Sequence, residues 1–163
     1  MNNHGGNFWA LTLKIILNIF YFIGIFVFIF MIISSTYSII HTANILNIIF
    51  TILILLIIFS ILSIIFCLRK IINSIIENNP FSLSNVKYFR WIGGNILIIG
   101  VILLSKDVYY SGLDAFTILD VYDDTINTNI DIFIPFIAGI FSLILAEIFK
   151  IGHRISKENE LTI

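Results

Sequence analysis

Residues that could do chemistry are few in this chain, and their spacing limits what each can do. Asp120, Asp123 and Asp124 bring carboxylate oxygens close together, the donor type that a divalent cation takes. Such a cation needs about six to eight oxygens, and no fixed ligand spacing surrounds these three. A solvated acidic loop is the expected reading, with no bound metal. Glu147 stands inside an otherwise apolar run, where an ionisable side chain raises a functional question by default. Lys150, three residues on, shares its helix face, and Arg69 or Lys70 is expected at a similar depth, so an interfacial ion pair is the simpler reading.

The remaining reactive types are isolated. His4, His41 and His153 are scattered along the chain and assemble no metal site. Cys67 is the single cysteine, which excludes an intramolecular disulfide and a paired metal ligand and leaves a small packing residue. No serine or cysteine carries a nucleophile signature, and Gly93 with Gly94 is helix packing rather than a phosphate-cradling loop. Neither an enzyme nor a cofactor is expected.

The elements that must position these residues are set by apolarity. Apolar residues make up 59% of the chain and charged ones 12%, too greasy for the interior of a soluble domain of this size. Four runs qualify as membrane spans, at about 15–36, 45–68, 91–110 and 132–150, with a loop at 69–90 and an acidic loop at 107–131. The third is weakest, since its charge-free stretch ends at Lys106. Val108, Tyr109 and Tyr110 can continue it as an aromatic belt while Lys106 snorkels. The first run resembles a signal peptide in following Lys14, but it is too long and has no A-x-A-like site, so it reads as a helix.

Charge then orients the spans. With both termini and the 69–90 loop cytoplasmic, Lys14, Arg69, Lys70, Lys87, Arg90, Lys150, Arg154 and Lys157 lie inside, against Lys106 outside. That asymmetry satisfies the positive-inside rule. All six aspartates fall between Asp107 and Asp131 on the outer side, whereas Glu77, Glu147, Glu158 and Glu160 lie at the inner end. The expected fold is all-α, an integral membrane four-helix bundle in a single domain with both termini cytoplasmic.

Local grammar refines it. Asn78, Asn79, Pro80 and Phe81 should stop the second helix, and Ser82, three before Asn85, should cap the third as a weakened capping box that begins it near Leu83. Ala138, Ser142 and Ala146 recur every fourth residue, with Gly139 beside them. Ser60, Ser63 and Cys67 share a face of the second helix, and Gly93, Gly94 and Gly100 lie on the third. Small residues let helices in lipid approach closely, within one bundle or, in the alternative, across a homo-oligomer interface.

One resemblance follows from residues spread over the chain. Asn79, Pro80 and Phe81, Asn85, then Arg90, Ile92 and Gly93, Ala146 to Lys150 with Gly152, and the closing Glu158, Asn159, Glu160, Leu161, Thr162 and Ile163 resemble the pattern of a bacterial membrane family known as domain of unknown function 2975. The resemblance implies a bacterial inner-membrane protein, often encoded beside a small helix-turn-helix regulator of the Cro/CI type. The first functional expectation is therefore a membrane partner that tethers or antagonises such a regulator, without itself binding nucleic acid. Its docking residues would be Asn79, Pro80, Phe81, Asn85, Arg90, Glu147, Lys150, Arg154, Glu158, Glu160 and Leu161. An accessory or immunity-type membrane protein is the alternative. A small channel or transporter component is a third, disfavoured by the lack of a polar lining.

Overall fold

Backbone N–H and C=O groups in hydrocarbon must be satisfied within the segment that carries them, which makes every long apolar run here a helix. The computed structural model describes residues 4–41, 44–116, 120–122, 125–127 and 132–160. It contains α1 (His4–His41), α2 (Ile45–Ile76), α3 (Leu83–Ser111), a 3-10 segment (Gly112–Phe116), a two-stranded antiparallel hairpin of β1 (Asp120–Tyr122) and β2 (Thr125–Asn127), and α4 (Phe133–Glu160). The helices have 38, 32, 29 and 28 residues, more than the roughly 20 that cross a bilayer. All four are apolar enough to do so, and the chain is a multi-pass membrane protein.

Several hydroxyls inside these helices do not interrupt them because they find a carbonyl one turn back. Thr12 donates to Phe8 O at 3.0 Å, Thr36 to Ile32 O at 2.8 Å and Ser105 to Val101 O at 2.7 Å. The helices also overrun the expected spans: α1 begins well before residue 15, and α2 continues through Arg69 to Ile76. The 69–90 loop accordingly shrinks to a corner at 77–82. The hairpin in the acidic segment had no signal in the hydrophobic pattern. Its strands pair Asp120 with Asn127 and Tyr122 with Thr125.

Cross-helix contacts establish that neighbours run antiparallel. Arg69 near the end of α2 meets Asn18 near the start of α1, Phe50 at the start of α2 meets Tyr109 and Tyr110 at the end of α3, and Gly100 of α3 meets Pro135 at the start of α4. The start of α1, the 77–82 corner and the end of α4 therefore share one side. Contacts follow chain order, with α1 on α2, α2 on α3 and α3 on α4. Among the described residues no other pair of helices comes into backbone contact. The bundle is thus open, with α1 and α4 at its edges. Lipid chains are as apolar as leucine, so no hydrophobic force draws the edges together. Phe26 and Ile137 are 74% and 68% exposed, fitting side chains that face lipid.

Close packing concentrates between α3 and α4. A methyl group added at Gly93 would stand 2.9 Å from Leu143 and 3.0 Å from the carbonyl of Gly139, and one at Gly139 would stand 2.8 Å from Leu97. The two glycines thus face each other. Ser142 and Ala146 are buried in the same seam, where Ser142 donates to Phe89 O at 2.9 Å. Ala138 is only half-buried, so the seam on α4 runs through Gly139, Ser142 and Ala146, one residue off the regular fourfold spacing. Gly100 extends it on α3, whereas Gly94 faces open space. On α2, Ser60 and Cys67 are buried and Ser63 accepts from Asn95 Nδ2 at 3.3 Å. Cys67 and Ile71 pack with Ile92 of α3. Most of these small residues are therefore used within the chain, Gly94 and Ala138 excepted.

Candidate functional site

The 77–82 corner gathers polar, non-helical residues on one side of the molecule. Asn78 takes a φ of 56°, the left-handed turn that asparagine tolerates better than most residues, and ends α2 there. Ser82 then caps α3, its hydroxyl accepting from Asn85 N at 3.3 Å. The return half of a capping box is missing. Asn85 instead turns its side chain under the corner and donates from Nδ2 to Pro80 O at 2.6 Å and to Ser74 Oγ at 3.0 Å. Ser74 in turn donates to the carbonyl of Asn79.

Asn85 is 0% exposed. It therefore holds the corner from beneath and is not available to a partner's surface, unlike Asn79, Phe81, Arg90 and Glu147, which are exposed. Its Oδ1 and that of Asn73 are buried, and no protein donor reaches them. Asn85 Nδ2 is fixed by the Pro80 carbonyl, which only accepts, so the orientation of the amide follows from its surroundings.

The end of α4 is pinned to this corner through Phe81. Its ring lies 5.5 Å from that of Phe149 and directly over Gly152, where an added methyl would come 2.6 Å from Phe81 Cδ1. Its carbonyl receives a hydrogen bond from His153 Nδ1 at 2.7 Å. That partner requires Nδ1 to carry the proton. Two polar cavities flank Asn79, one of about 290 Å³ walled by α2 and the start of α3, and one of about 270 Å³ between Phe81 and the α4 residues His153, Ser156 and Lys157.

The Glu147 ion pair forms with Lys150 as expected, but its cross-helix partner is Arg90 rather than Arg69 or Lys70. Glu147 Oε1 lies 2.6 Å from Arg90 on α3 and Oε2 lies 3.3 Å from Lys150. Arg69 is on the far side of α2, donating to Asn18 at 2.7 Å with its guanidinium 4.4 Å above the Tyr21 ring. Lys70 lies over Phe66. The Arg90–Glu147 pair is about half exposed, so it sets register between α3 and α4 more than it stabilises them.

Arg154, Lys157 and Glu158 are exposed on the last turns of α4. Glu160 ends the helix, its side chain not being described, and Leu161 lies outside the described residues. Asp123 and Asp124 also lie outside them, and Asp120 is placed by its backbone alone. Among the described residues no three His, Cys, Asp or Glu side chains come together as metal ligands.

The family model for protein of unknown function DUF2975 matches residues 2–163. The chain belongs to that family. The match covers nearly all of it, so the corner, the Arg90–Glu147 pair and the end of α4 all fall inside the family's extent. Neither the curated proteins nor the solved structures contain a match to this DUF2975 chain.

Proposed function

We propose that this protein sits in the bacterial cytoplasmic membrane with the corner side facing the cytoplasm, and docks there a small helix-turn-helix regulator of the Cro/CI type, tethering or antagonising it. Orientation rests on the eight cations at the ends sharing the corner side, against Lys106 at the other. Docking, rather than catalysis, is supported by the kind of surface there. Two polar cavities flank an exposed Asn79, and an exposed charged helix end stands beside them. The regulator itself is suggested by the genomic association that the family resemblance implies.

The observation that carries the reading is the fixing of the corner to α4 by Phe81, Gly152 and His153. A surface that is already rigid loses little entropy on binding. Truncation of residues 156–163 tests it. The expected result is normal membrane insertion, loss of co-purification of the neighbouring regulator, and altered transcription of that regulator's targets. Unchanged co-purification and transcription would refute a tail-mediated tether.

A further inference from the structure

Between α2 and α3 a groove of about 360 Å³ is lined by residues of these two helices alone. Its wall is apolar along Leu53, Ile54, Ile57, Ile102 and Leu103. At the end away from the corner it is polar, where Asn47, Lys106 and Tyr110 line it. All three can donate hydrogen bonds, and Asn47 sits in the first turn of α2, where the helix dipole also favours an anion. Lys106 is the one Lys or Arg in the sequence between Arg90 and Lys150. Phe50 stacks on Tyr110 at 5.8 Å and holds the ring in the wall.

We propose that this groove is a binding site for a membrane phospholipid, its phosphate on Lys106, Asn47 and Tyr110 and an acyl chain lying along Leu53, Ile57 and Leu103. Length supports this occupant. From Asn47 to Ile57 is ten residues of helix, about 15 Å, which matches the roughly 15 Å of hydrocarbon in one leaflet. Charge supports it as well, because the polar end presents donors and a cation, whereas the apolar middle has nothing to pair with a polar helix. A second copy of the chain is the competing occupant.

Native mass spectrometry of the full chain in detergent, with phosphatidylglycerol as probe and diacylglycerol as its phosphate-free counterpart, tests the site. Wild type should retain phosphatidylglycerol and not diacylglycerol. Lys106→Gln should weaken retention about fivefold, as expected for one lysine at a lipid surface, with the thermal midpoint unchanged. Ile57→Trp, which fills the groove, should abolish retention, whereas Ile137→Trp on the exposed face of α4 should not. Equal retention by wild type and Lys106→Gln, or equal retention of diacylglycerol, would overturn the proposal. So would a dimer peak that Ile57→Trp removes, since the groove would then belong to a second copy. Should Ile57→Trp fail to fold, the Lys106→Gln comparison decides alone.

Discussion

Asn85 donates a hydrogen bond to the carbonyl of Pro80 at 2.6 Å from a position with no solvent exposure, so the turn between α2 and α3 is held from its interior. Replacing Asn85 with Leu should strand the Pro80 carbonyl and cost about 1 to 3 kcal/mol of stability, the usual penalty for an unsatisfied buried acceptor. Thermal unfolding in detergent measures that loss. Limited proteolysis should also show new cleavage at the corner, because Ser74 and Asn85 together anchor it.

Packing between α3 and α4 makes a second prediction. Gly139→Val should collide with Leu97 and the backbone at Gly93, and lower stability by about 1 to 3 kcal/mol as overpacking does. Gly94→Ala, one residue from the seam and facing open space, should be neutral or slightly stabilising because alanine is the better helix former. Comparing the two unfolding midpoints checks the assignment of faces.

Much of this fold is legible in the sequence because lipid leaves few options. Apolar runs such as 45–68 must be helices, and Ser82 three before Asn85 marks the start of α3 at Leu83. What the pattern does not reveal is register across helices. Regular fourfold spacing suggested Ala138, yet Gly139 is the residue on the seam, since a helical stripe drifts and only the facing Gly93 selects the phase. Depth alone points to Arg69 or Lys70 as the cross-helix partner of Glu147. The chain-order packing decides for Arg90 by leaving α2 out of contact with α4. Ser74 and the role of His153 are not legible, because a lone polar residue in a helix signals its importance only once its partner is known.

The Phe81 contact leads to a third prediction. Gly152→Val would drive a side chain into the Phe81 ring, and His153→Ala would remove the bond to the Phe81 carbonyl. Both should loosen the end of α4 without unfolding the spans. Hydrogen exchange of α4 beyond Lys150 should quicken in each variant, while exchange in the Gly139–Ala146 stretch stays as in wild type.

A fourth prediction concerns the ion pair. Glu147→Gln should barely change the unfolding midpoint, because the carboxylate and Arg90 are both about half exposed. It should nevertheless weaken retention of the regulator if that charged cluster is part of the docking face. Co-purification yields of wild type and variant, measured beside the two midpoints, separate the contributions.

Topology has its own check. A periplasm-active reporter fused after Asp124 should be active, and the same reporter fused after Asn79 or Ile163 should be silent, given the distribution of Lys and Arg. Activity at Ile163 would reverse the orientation and remove the corner from the cytoplasm.

The docking claim itself is tested most directly by a photo-crosslinking residue placed at Asn79, which is exposed between the two polar cavities. In cells that express the neighbouring regulator, illumination should give an adduct of the two proteins from Asn79. The same residue at Phe26, on the exposed face of α1, should give none. No adduct from Asn79 in a correctly inserted protein, with the regulator present at normal level, would contradict the account.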